Sequence, residues 1–157
     1  MQIFSLVLAA FALVISSVLS APLPSPNPEV QVVSMLATVP QWTIKSMKRS
    51  CNGNFTRCIW FFSIDTQAGA PVQCRLNVVG TTKVPATQTA INGARCGGYV
   101  VSTGWSGQFG PGNGFTTLSI VDVGNKLIAW PAYADGDLVN KVTVRPDRSF
   151  PVTKLQT

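Results

Sequence analysis

Histidine is absent from all 157 residues. That removes the side chain that most often moves protons near neutral pH, and with it the usual base for a serine or cysteine nucleophile. Acidic residues are scarce too, six against twelve Lys and Arg, which leaves a net charge of +6. The carboxylates available for chemistry are Glu29, Asp65, Asp122, Asp135, Asp137 and Asp147. No CxxC pair is present, so a zinc site is disfavoured on both nitrogen and sulfur ligands. No eleven-residue window carries a convincing 3.6-residue apolar period, so no amphipathic helix is expected. These absences point away from an enzyme. No catalytic residue, no metal and no cofactor is expected.

Long apolar runs are also rare. There is one, Ile3 to Leu19, and it contains no charged side chain. It lies at the short end of the roughly 20 residues that a spanning helix needs. Small residues follow at Ser16, Ser17, Ser20 and Ala21, the layout of a secretory signal peptide cut after Ser20. The expected organisation is a signal peptide over 1–20, a Pro-rich disordered leader over 21–39, and a single β-domain over 40–157. Pro22, Pro24, Pro26 and Pro28 keep the leader out of any helix or central strand. Every charged side chain lies beyond Ser20, so the +6 belongs to the exported part. A basic secreted protein is drawn to anionic surfaces, although solubility is the plainer reading of scattered charge. Export argues against nucleic acid as a partner. The mature protein is expected to have no membrane span.

Cysteine usage agrees with export. Four cysteines, Cys51, Cys58, Cys74 and Cys96, imply two disulfides and three possible pairings. Cys51–Cys58 with Cys74–Cys96 is favoured. The first closes the short loop from Asn52 to Arg57. The second ties a central strand to the loop that enters the next one. Cys58–Cys74 fits worse, because a hairpin turning near Gly69 places residue 58 beside residue 80. Asn54-Phe55-Thr56 is an N-glycosylation sequon inside the smaller loop, where a turn would expose it.

From Gln41 onward, short apolar runs alternate with turn residues. Strands are expected over Gln41–Lys48, Cys58–Ile64, Val72–Val79, Tyr99–Ser102, Phe115–Val123, Lys126–Trp130 and Val142–Val144. Trp42 and Ile44 share one face of the first strand, and Trp60, Phe62 and Ile64 share one face of the second. Gly80 to Ala94 reads as a polar loop, and Trp130-Pro131-Ala132-Tyr133 reads as a turn after a strand. Thirteen glycines and eleven prolines suit many turns. The expected fold is all-β, a compact antiparallel barrel or sandwich.

The segment from Gly104 to Phe115 interleaves five glycines and a proline with Trp105, Phe109 and Phe115. It lacks the Gly-Lys-Ser/Thr ending of a phosphate-binding loop. As structure, its aromatics would plug the end of the β-core while glycines supply positive φ. As function, Trp105, Phe109 and Phe115 would form a surface platform that stacks on sugar rings or seats a partner. The structural reading is favoured for Trp105, and Phe109 is left open. Asp135-Gly136-Asp137 is the only close pair of carboxylates. A turn is its first reading, a weak Ca²⁺ site a distant second, and a catalytic pair the last.

Several segments together resemble the small secreted hypersensitive-response-inducing elicitors of plant-associated fungi. They are Pro40-x-Trp42-x-Ile44 leading to Lys48-Arg49-x-Cys51; Cys58-x-Trp60-x-Phe62-x-Ile64; the block from Ser102 to Asp122; Lys126 to Asp135; and Pro146 to Phe150. The resemblance spans about Pro40 to Leu155. It departs at Arg148 and Phe150, where Gln and Tyr are expected. It implies a β-barrel-like secreted protein that plants perceive and answer with defence or local cell death, and it carries over no catalytic residue. The expected partner is a plant surface receptor or a cell-wall polymer. The alternative is a secreted carbohydrate-binding module or a carboxylate-based glycosidase using Asp135 and Asp137 with Trp105 and Phe109.

Overall fold

Alternation of apolar and polar side chains dictates the first hairpin. In the computed structural model, which describes residues 40–156, β1 spans Gln41–Cys51, β2 spans Arg57–Asp65 and β3 spans Val72–Val79. Trp42 and Ile44 of β1, Trp60, Phe62 and Ile64 of β2, and Leu76 and Val78 of β3 all point inward and are buried. Each such side chain contributes roughly 1.5–3 kcal/mol when fully removed from water. β1 does not alternate throughout. Its register slips between Lys45 and Lys48, where Ser46 adopts a φ of 52°. The bulge resets the faces, so that Met47 and Arg49 follow Ile44 into the interior. Asp147 holds the bulge by accepting the Ser46 N–H at 2.8 Å.

The second half repeats the plan. β4 (Ile91–Cys96) and β5 (Tyr99–Ser106) form a tight hairpin through Gly97 and Gly98. Gly97 has a φ of +57°, and a Cβ there would run into Val72. β6 (Phe115–Asp122) pairs with β5 along its whole length. β7 (Leu127–Ala129) and β8 (Ala132–Ala134) both pair with β6, and β9 is Arg148–Lys154. Strand order is β3-β2-β1-β9-β7-β6-β5-β4, with every pair antiparallel. β3 and β4 are therefore the two free edges. The sheet curls until they meet, and the Cys74–Cys96 disulfide joins them with Cα atoms 5.3 Å apart. The result is an all-β, nearly closed barrel around Val101, Leu118 and Ile120, all fully buried, with Trp42 meeting Tyr99 edge-on at 5.4 Å. The other disulfide, Cys51–Cys58, links two residues already paired across β1 and β2. Both favoured pairings are present.

Four local expectations are corrected. Gly80–Ala94 is not all loop, because β4 starts at Ile91; Asn92 and Gly93 disguise it, and Gly93 sits at a register slip with φ +65°. Tyr99–Ser102 is too short a strand; it runs to Ser106 and carries Trp105 out of the expected loop. Trp130-Pro131 does not turn the chain. It lies within one interrupted strand that keeps its register: the Pro131 carbonyl accepts the Leu118 N–H at 2.7 Å, and β8 continues along β6 where β7 left off. Val142–Val144 makes only an isolated bridge, Thr143 to Lys48, and the last strand is β9. Pro151 hides β9 from a sequence reading. It is tolerated because β9 changes partner there, from β1 over 148–151 to β7 over 152–154.

The expected signal peptide and leader, residues 1–39, and Glu29 with them, lie outside the described residues. Among the described residues, no helix is long and apolar enough to cross a membrane.

Candidate functional site

The glycine–aromatic segment builds one end of the barrel. Trp105 sits near the end of β5, opposite Thr116. Its indole lies between Gly107 and Gly114: a Cβ on either glycine would press into the ring. The indole N–H donates to Asp135 Oδ2 at 3.0 Å, and the Asp135 N–H donates to the Gly114 carbonyl at 2.8 Å. The loop is thus clamped to the turn after β8. Gly110 and Gly112 have φ of +88° and +78°, a region that other residues enter at a cost. Trp105, Gly110, Pro111, Gly114, Gln88 and Asp135 line a shallow cleft of about 360 Å³.

Phe109 lies at the tip of this loop and is 65% exposed. Its ring leans on Phe115 at 5.7 Å, tilted by 31°. Asn113 braces the tip by donating from Nδ2 to the Phe109 carbonyl at 3.3 Å. The three aromatics do not make one flat face. Trp105 and Phe115 are half-buried, the first held edge-in by two glycines, and Phe109 alone of the three is presented.

Asp135 and Asp137 share a turn but serve different partners. The Asp137 N–H donates to the Ala134 carbonyl at 3.0 Å, as the turn reading requires. Asp137 accepts two charged hydrogen bonds from Arg148, at 2.8 and 2.6 Å, and one from the Ala134 N–H at 3.0 Å. The Arg148 hydrogen bonds are the main reason its carboxyl is held below the usual carboxylate range. Arg148 also stacks over Tyr133 at 5.2 Å, and Phe150 meets the same ring edge-on at 5.8 Å. Burial pushes the Tyr133 phenol well above its ordinary range. Arg148 and Phe150, the two departures from the resembled family, therefore form a clasp between β9 and the turn after β8.

The remaining described carboxylates are also engaged. Asp65 pairs with Lys45 at 2.6 Å, and Asp122 accepts from Asn125 N and Nδ2 at 3.0 and 2.8 Å. Asp147 caps the β1 bulge. Among the described residues, no group of three or more His, Cys, Asp or Glu is placed to hold a metal ion.

Asn54 is exposed in the loop joining β1 and β2. Its Oδ1 accepts from the Thr56 backbone N–H at 3.4 Å, an Asx-type turn across the sequon, and from Thr56 Oγ1 at 2.9 Å.

Two features escaped sequence reasoning. Arg49 is an inward-facing cation, 6% exposed, donating to the carbonyls of Leu138 at 3.0 Å and Thr87 at 3.3 Å. Burial lowers its pKa, and Asp135 partly offsets that. Only the bulge at Ser46 turns it inward, and no local pattern announces that bulge. The second is a cross-strand row, Lys48–Phe61–Arg75, in which both cations stack on the ring. It becomes visible only once the register of three strands is known.

Residues 43–156 match the family model described as Effector TSP1. The chain belongs to that family. A curated relative, "Effector TSP1" of Hypocrea virens (strain Gv29-8 / FGSC 10586), is 39% identical over 135 residues, 86% of each chain. The match to the Effector TSP1 family runs from β1 to the end of β9, so it covers the barrel, both disulfides and the glycine–aromatic loop. A fungal effector family is in keeping with the elicitor resemblance carried by the sequence motifs.

Proposed function

We propose that this protein is an exported fungal effector that plants perceive through its folded surface, answering with defence or a hypersensitive response, without a catalytic step. Residues 1–20 direct export and are removed, and 21–39 are a leader to the β-domain. The single observation that carries the reading is the presentation of Phe109. A large aromatic that is 65% exposed stands on a loop locked by Trp105, Gly114 and Asp135. Rigid exposed aromatics are costly in water and favourable as contact anchors. The Asp137 carboxylate supports the non-catalytic part, since Arg148 and the Ala134 N–H engage both its oxygens. We assign an N-glycan to Asn54, whose loop projects between two paired strands.

The test is infiltration of purified protein into leaves, native and after reduction and alkylation. The native form is expected to provoke an oxidative burst and necrosis, and the unfolded form is not. A native protein that provokes neither would contradict the reading.

A further inference from the structure

The outer face of β1, β2 and β3 is a polar grid written by the strand register. Lys48, Phe61 and Arg75 are direct cross-strand neighbours, and the next row is Ser50, Ile59 and Asn77. Lys48 Nζ and the Arg75 guanidinium both rest over the Phe61 ring, at 5.7 and 5.6 Å from its centroid. One ring thus takes two cations from strands about 10 Å apart. Two shallow depressions lie on either side of this row. One, of about 280 Å³, is lined by Ser46, Phe61, Ser63 and Gln73. The other, of about 290 Å³, is lined by Ser50, Asn52, Ile59, Arg57 and Lys141. Along β2, from Ser63 to Arg57, the track is roughly 20 Å long.

The charge on this track is one-sided. Lys48, Arg57, Arg75 and Lys141 form no ion pair among the described residues. Two carboxylates border the face at the Lys45 end: Asp65 is taken by Lys45, and Asp147 accepts the Ser46 N–H.

We propose that the outer face of β1–β3 binds a linear uronate polysaccharide, laid along β2 between Lys48 and Arg75 and on toward Arg57 and Lys141. Spaced cations match spaced carboxylates, and the serine, asparagine and glutamine side chains meet sugar hydroxyls. An anionic membrane is the competing occupant, since Val79 beside Arg57, Phe55 in the β1–β2 loop and Val142 beside Lys141 are exposed at that end of the face, and the vesicle arm below separates the two.

The probe is a size-defined, de-esterified oligogalacturonate, with its methyl ester as the uncharged control, titrated calorimetrically into the purified protein. The acid form is expected to bind, more weakly as salt is raised, and the ester is not. Lys48→Gln with Arg75→Gln is expected to weaken binding about tenfold. Lys126→Gln with Lys154→Gln removes the same charge on the β7–β9 side and is expected to change it by less than about twofold. Should the first pair disturb the sheet, Arg57→Gln with Lys141→Gln gives the same test away from the Phe61 ring. Equal losses from both faces would reduce the effect to net charge and overturn the proposal. So would binding to phosphatidylserine vesicles with none to the oligomer. No plant response enters these measurements, so they stand or fall apart from the effector reading.

Discussion

Cys74 and Cys96 sit on β3 and β4, the two end strands of the order, each with one edge unpaired, and their disulfide is the covalent seam of the barrel. Cys51 and Cys58 are different. They face each other across a pair of strands that hydrogen bonds already join.

That contrast sets the order of two stability losses. Cys74 and Cys96 are 22 residues apart, Cys51 and Cys58 only 7. The chain-entropy relation then assigns about 3.4 kcal/mol to the first bridge and about 2.4 kcal/mol to the second. Cys74→Ala with Cys96→Ala should cost more still than that difference, because it also frees two sheet edges. Urea unfolding of the two double variants checks the order.

Much of this barrel is legible in the residues. Trp42 and Ile44, then Trp60, Phe62 and Ile64, alternate so cleanly that strand and buried face follow together. β4 and β9 do not announce themselves. β4 is an exposed edge with Asn92 and Gly93 inside it, and β9 carries Pro151 where it changes partner. Phe109 could be singled out from its glycine surroundings, but its exposure could not. The Asp137–Arg148 clasp joins residues whose meeting depends on β9, so missing that strand hid the contact.

Gly114 is fixed by what lies over it. A methyl group there meets the Trp105 indole and the Asp135 carboxylate at once. Gly114→Ala should cost about 1–3 kcal/mol, the usual penalty of forcing a packed site apart. A change in tryptophan fluorescence should accompany it, because the indole N–H loses its acceptor. Denaturant titration followed by fluorescence reads both.

Acid sensitivity should trace partly to Asp137. Its folded-state pKa is depressed, chiefly by the hydrogen bonds from Arg148. The folded protein then binds fewer protons than the unfolded chain at mildly acid pH. The stability this adds is present above about pH 4, the ordinary carboxylate value, and is lost as pH falls through the folded value. Asp137→Asn should lower stability by about 1 kcal/mol at pH 7, a modest figure because the pair is partly exposed. It should also flatten the acid limb of a melting-temperature profile. Asp65 and Asp122, also depressed, by Lys45 and by Asn125, keep part of that limb in the variant.

Asn54→Gln should remove the mass of one N-glycan from protein exported by a eukaryotic host. Asn54 is exposed but closes its own turn through Thr56, so Asn54→Gln should cost up to about 1 kcal/mol against the unglycosylated parent. Intact-mass spectrometry before and after glycosidase treatment reads the difference.

Recognition by surface is tested by the leaf oxidative burst from equal amounts of wild type, Phe109→Ala and Asp135→Asn. Asparagine keeps an oxygen for the Trp105 N–H but removes the carboxylate, so a full response is predicted for Asp135→Asn. Phe109→Ala loses an exposed ring with little effect on folding, and its response should fall. The opposite pattern, a burst that survives Phe109→Ala and vanishes with Asp135→Asn while wild type releases new reducing ends from cell-wall polymer, would contradict the claim.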